Sequence, residues 1–107
     1  MNARLIYSSL AADPDLGELV DLFVQEMPHR ISALETQARS RDWQELTRTV
    51  HQIKGAAGSY GFPAITPYAA RLENAAKIGG QEEEILSALD ELLDLCRRLR
   101  SGVPPAG

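Results

Sequence analysis

The chain has 107 residues, a formal net charge of −4 and 44% hydrophobic residues, enough for one core and too little for two. That acidic balance argues against nucleic acid or an anionic membrane as partner, since either calls for a basic excess. A single cysteine, Cys96, excludes an internal disulfide and a paired-cysteine zinc site. With no spanning apolar run and no signal-peptide layout in the sequence, the expectation is a reduced, soluble, cytoplasmic domain.

Period-two strand patterns and Asn-Gly or Asp-Gly hairpin turns are missing from the sequence, whereas apolar residues recur at three- and four-residue steps from residue 15 on. The expected division is a lead segment over 1–13, a helical domain over 14–101 and a flexible Pro/Gly-rich tail over 102–107. Asp13-Pro14 signals the first helix start. Its stripe is Leu16, Leu19, Val20, Phe23, Val24 and Met27, continued by Ile31, Leu34 and Ala38. Pro28 inside that stripe predicts a kinked helix or two helices meeting there.

Asp42 with Glu45 three residues on reads as a capping box for the second helix, whose stripe is Trp43, Leu46, Val50, Ile53 and Ala57. Gly58 and Gly61 mark its weakening end. A third helix starts after Pro63 or at Thr66-Pro67, the latter having the better cap grammar. It buries Ala69, Leu72, Ala76 and Ile78, and stops at Gly79-Gly80. The fourth runs from Gln81, with Glu82, Glu83 and Glu84 in its first turn and Arg97, Arg98 and Arg100 in its last, matching the helix dipole. Its stripe is Ile85, Leu89, Leu92, Leu93, Cys96 and Leu99, with Cys96 read as a buried small hydrophobe. Short connections predict an all-α, up-down antiparallel four-helix bundle with a kinked or broken N-terminal helix.

One stretch breaks helix grammar: HQIKGAAGSYGF, residues 51 to 62. Glycine inside a helix costs about 1 kcal/mol relative to alanine, yet Gly55 and Gly58 fall within a stripe that continues to Ala57. At about 100° per residue His51 lies roughly 120° from the middle of that stripe, at the solvent boundary or beyond it. Gly55 and Gly58, four and seven residues on, share its face. Lys54 flanks the same face and can bring its ammonium near the imidazole. The pattern describes an imidazole on a strip without side chains, where another protein can come close. A neutral ring nitrogen can serve as a nucleophile, and the lysine would offset charge on a transferring phosphoryl group. The plain alternative is a surface histidine beside a fraying helix end or a tight helix crossing.

His51, Lys54, Gly55 and Gly61 spell H-x-x-K-G-x5-G, which strongly resembles the motif of histidine-containing phosphotransfer (HPt) domains. The flanking stretches LVDLFVQEMPHRISALETQARSRDWQELTRTV and PYAARLENAAK are similar to that family's helices, so the likeness covers residues from about 14 to 100. The resemblance implies a phosphorelay intermediate. His51 would accept a phosphoryl group from the phospho-aspartate of a receiver domain and pass it to another receiver's aspartate. It implies as partners the receivers of response regulators or hybrid kinases, which would bring Mg²⁺; no cofactor is expected on this chain. Phosphoryl transfer needs positioning and charge neutralisation above all, and the sequence holds no P-loop or kinase-type nucleotide boxes. The expectation is a carrier, not a kinase.

Some members of that family bond the ring's other nitrogen with a polar residue on the next helix, often Gln; by register the candidate here is Glu73. A carboxylate there would fix the tautomer and would also repel phosphate if too close. The other reading of Glu73 is a solvent-facing partner of Lys77 at i+4. Arg48, one turn before His51, meets an acidic receiver surface or is simply solvated. His29, without neighbouring glycines or a following lysine, reads as an ordinary surface residue, and His29, His51 and Glu73 lack the short ligand pairs of a metal site. Trp43 and Tyr68 read as packing residues, while Tyr60 and Phe62 either join the docking face or close the bundle end. The rival functions are an adaptor that binds a receiver or kinase without accepting phosphate, and a metal-binding or dimerising bundle. A complete bundle favours a monomer.

Overall fold

A computed structural model describes residues 4–79 and 81–105. Four helices dominate it: α1 (Gly17–Arg39), α2 (Trp43–Ser59), α3 (Ile65–Lys77) and α4 (Glu82–Arg97). The most extensive interface joins α2 to α3, followed by α3 to α4, α1 to α2 and then α1 to α4. Each helix gives one stripe to a common core: Val20, Phe23, Met27 and Leu34 of α1; Leu46, Val50, Ile53 and Ala57 of α2; Ile65, Ala69 and Leu72 of α3; and Ile85, Leu89, Leu92 and Cys96 of α4. Each large aliphatic or aromatic side chain so buried contributes about 1.5–3 kcal/mol. The all-α bundle read from the apolar periodicity is the fold observed.

Its first helix departs from expectation at its start and in its stripe, and at Pro28 it takes the single-helix alternative of the two expected. The Asp13 carboxylate accepts from the N–H groups of Asp15 and Leu16 at 2.7 and 3.0 Å, so Asp13-Pro14 caps a turn, and the regular helix begins at Gly17. The helix then runs unbroken through Pro28, and two separate helices are not formed. Pro28 is exposed; its ring removes one donor, for the Val24 carbonyl, while Phe23, Met27 and Leu34 hold both halves in the core. Leu19, placed in the stripe, is exposed together with Leu22, because it stands about 100° from Val20 and off the buried face.

At α2 the Asp42 carboxylate accepts from the Glu45 N–H. The reciprocal half of the box is not made, since the Glu45 carboxylate turns to Arg48 at 2.6 Å. The helix continues past Gly58 and stops in a Schellman arrangement. Gly61 has φ +80°, and the Phe62 N–H returns to the Ala57 carbonyl at 2.8 Å. Phe62 is buried, and the ring of Phe23 packs against both Phe62 and Tyr60 at centroid separations of 5.8 and 5.7 Å. These two aromatics close the bundle end.

Helix α3 takes the earlier of its two starts. The N–H groups of Ile65 and Thr66 bond back to the carbonyls of Phe62 and Pro63 in a tight turn, and Ala64 at the N-cap makes no side-chain bond. Pro67 then stands at the third helical position, where its missing N–H would have no intrahelical partner anyway. Ile78 lies just past the helix end and is exposed, as is Tyr68. Gly79 follows at φ +66°; Gly80 of the expected stop lies outside the described residues.

The carboxyl end of α4 is shorter than the charge pattern suggests. The helix ends at Arg97, and Leu99–Arg100 forms β2, which pairs in parallel with β1 (Ile6–Tyr7). The sequence reading held no strand at all. Two residues carry no alternation to detect, and the pairing is set by tertiary contact. The Ile6 N–H bonds the Arg98 carbonyl at 2.8 Å, and the Ser9 N–H bonds the Gly61 carbonyl at 3.1 Å. Ser8 is buried, its hydroxyl donating to the Tyr60 carbonyl, while Ile6 and Leu10 pack on the core. A Cβ on Gly61 would come within 2.5 Å of the Ser8 hydroxyl, so this glycine serves the helix stop and admits the lead segment as well.

Candidate functional site

His51 stands in the middle of α2 with its side chain 67% exposed. The buried neighbours Val50 and Ile53 turn it outward, as the helical projection required. Across the α2–α3 seam Glu73 is a buried carboxylate, its side chain only 7% exposed. Register places it there: Leu72, Ala69 and Ala76 are buried on the same side of α3, and Glu73 adjoins them facing α2. Glu73 Oε2 lies 2.7 Å from His51 Nδ1. Oε1 accepts from Lys54 Nζ at 2.6 Å, and Lys77 Nζ stands 3.4 Å from Oε2. Both readings of Glu73 therefore meet in one side chain: it reaches the ring and keeps Lys77 at i+4, but from a buried position.

The hydrogen bond from Lys54 holds the Glu73 carboxyl well below the ordinary range, at about 2 against 4.5. Burial opposes this shift, and the bond from His51 and the nearby Lys77 ammonium add to it. An ionised carboxylate can only accept. The hydrogen on the His51 ring accordingly sits on Nδ1, which leaves the Nε2 lone pair free on the exposed edge. In its neutral form such a ring has a fixed tautomer and an oriented plane, with Nε2 as the unprotonated nitrogen.

Gly55 and Gly58 are exposed, and a Cβ at either would meet nothing within 4 Å. Internal packing does not require them; they leave a bare strip beside the ring. Gly61 is buried at the helix stop, away from that strip in its role. The ammonium of Lys54 is bonded to Glu73, the same carboxylate that meets the His51 ring. Arg48 is exposed and paired with Glu45. On the amino-terminal side of His51 an open depression of about 430 Å³ is lined by Thr47, Arg48, His51, Gln52, Glu73 and Lys77, with Gln44 at its edge. Lys77 belongs to this site, although the sequence offered only its i+4 spacing from Glu73. Among the described residues no three histidine, cysteine or carboxylate side chains gather as a metal site, so His29 does not join His51 and Glu73.

A four-helix bundle presenting one oriented, solvent-facing imidazole belongs to a narrow class of helical domains. The profile of the Hpt domain family matches residues 18–102, and the chain is a member of that family. Neither the curated proteins nor the solved structures gave a match. Hpt domains are phosphocarrier modules of two-component signalling that interact with receiver domains and lack kinase activity of their own. Among the described residues no helix is long and apolar enough to cross a membrane.

Proposed function

We propose that this domain is a phosphorelay intermediate whose Nε2 of His51 accepts a phosphoryl group from a receiver's phospho-aspartate and returns it to the aspartate of another receiver. The observation that carries the reading is the 2.7 Å contact between His51 Nδ1 and the ionised Glu73, which leaves Nε2 as the free nucleophile. Nε2 is the attacking atom, and its lone pair makes the N–P bond as the aspartyl P–O bond breaks. The broken bond's electron pair stays with the leaving carboxylate. No proton has to move, because Nδ1 keeps its hydrogen against Glu73 in both states. The strip at Gly55 and Gly58 admits the receiver's surface to the ring, and Arg48 lies where an acidic receiver would meet it. Mg²⁺ and the acidic residues that hold it come with the receiver, so this domain supplies nucleophile, orientation and charge balance.

The test incubates the domain with a phosphorylated receiver and Mg²⁺ and follows intact mass. Wild type should gain an acid-labile, alkali-stable phosphoryl group; His51→Gln should gain none while staying folded, since the side chain is exposed and the glutamine amide can still donate to Glu73. With ATP alone neither should be modified. Phosphorylation of His51→Gln, or none of the wild type by several competent receivers, would defeat the reading and leave a docking adaptor.

A further inference from the structure

Two ammonium groups flank the Glu73 carboxylate, and they are held differently. Lys54 Nζ sits on Oε1 at 2.6 Å with its side chain 30% exposed, whereas Lys77 Nζ stands 3.4 Å from Oε2 with its side chain 60% exposed. Charge-assisted hydrogen bonds of this kind measure about 2.7–2.9 Å, so Lys77 is attracted without being fastened. The oxygen it faces already accepts from His51 Nδ1. Sharing that oxygen places the Lys77 ammonium next to the ring. Lys77 also lines the open depression beside His51, and Lys54 does not. The other cation there, Arg48, is bonded to Glu45 at 2.6 Å.

Charge counting points the same way. One carboxylate against two ammonium groups leaves the cluster with a single positive charge in excess. A transferred phosphoryl group brings a net charge of minus one. Lys54 is poorly suited to meet it, because leaving Oε1 would strip a buried carboxylate of its tightest partner. Lys77 can swing away while Oε2 keeps its bond from Nδ1.

We propose that Lys77 is the cation that contacts the phosphoryl group carried on His51, and that Lys54 is a positioning residue acting through Glu73. The inference rests on the relay reading above. In the step, the Nε2 lone pair forms the N–P bond, the donor's bond to phosphorus breaks with its electron pair going to the leaving group, and Nδ1 retains its proton. The ring is then cationic, with Glu73 on one edge and the phosphoryl dianion on the other. Lys77 turns from Glu73 to a phosphoryl oxygen, which answers the repulsion a carboxylate would otherwise exert.

Phosphoramidate tests this with no receiver surface involved: His51 takes the phosphoryl group, the P–N bond breaks and ammonia leaves. The rate of adduct formation is read by intact mass for wild type, Lys77→Ala, Lys77→Arg and Lys54→Ala, and the His51 ring ¹⁵N shifts report the tautomer. Lys77→Ala should react about tenfold more slowly with ring shifts unchanged, and Lys77→Arg should recover most of the rate. Lys54→Ala should move the ring shifts, because Glu73 loses its tightest bond. A Lys77→Ala rate within twofold of wild type overturns the proposal, as does a loss accompanied by the same shift change as Lys54→Ala. A wild type modified neither by phosphoramidate nor by a receiver defeats the relay reading itself, a different result needing no variant.

Discussion

Glu73 is a nearly buried carboxylate with partners on three sides, and its effect on stability can be read through pH. Its carboxyl titrates at about 2 in the folded chain against 4.5 as the ordinary value. A depressed value means stabilisation that is complete above pH 4.5 and is lost as pH falls toward 2. The size is on the order of 3 kcal/mol. Urea unfolding across that window should show a loss for wild type that Glu73→Gln lacks; parallel curves would contradict the assignment. At this scale His51, Lys54 and Gly55 were legible because their relation is local, set by helical spacing on one element. Glu73 could be nominated by register alone. Its burial, and the place of Lys77 beside the ring, depend on how α3 lies against α2, which no spacing within one helix encodes.

The three glycines of α2 and its stop separate into two kinds once the element is seen whole. Gly55 and Gly58 face open space, so alanine at either should stabilise the helix by about 0.5–1 kcal/mol. The same substitutions should slow exchange with a receiver, because a methyl now stands on the docking strip. A stabilised variant with unimpaired transfer would remove the access argument. Gly61→Ala should instead destabilise by about 2 kcal/mol or more, from the positive φ and the clash with the lead segment. In α4 burial pushes the Cys96 thiol up to about 12, so maleimide at pH 8 should label it only after denaturation; prompt labelling of the native chain would show the α4 packing to be wrong. The helices themselves were legible from three- and four-residue periodicity. Their ends were less so: the start of α3 rests on a tight turn without a capping side chain, and the end of α4 on a strand partner more than 90 residues away in the chain.

For the whole molecule, the lead segment ties the bundle's two ends of chain together and braces the stop of α2. Ile6 meets Arg98, Ser8 meets Tyr60, and Ser9 meets Gly61. Removing residues 1–10 should therefore lower the melting temperature and loosen the amides of Gly61 and Phe62 toward hydrogen exchange, while the α2–α3 pairing of His51 and Glu73 persists. An unchanged melting temperature would mean the segment only rests on the surface. The sequence placed this segment outside the helical domain because its contacts are made by isolated residues with no repeating pattern. The relay chemistry turns on one atom, Nε2 of His51, made available by the bond Glu73 receives from Nδ1. The most direct measurement is a ³¹P–¹⁵N correlation on the phosphorylated, ¹⁵N-labelled domain. Coupling of phosphorus to Nε2 of His51, with the proton retained on Nδ1, is the predicted result; coupling to Nδ1, or to the ring of His29, would contradict it.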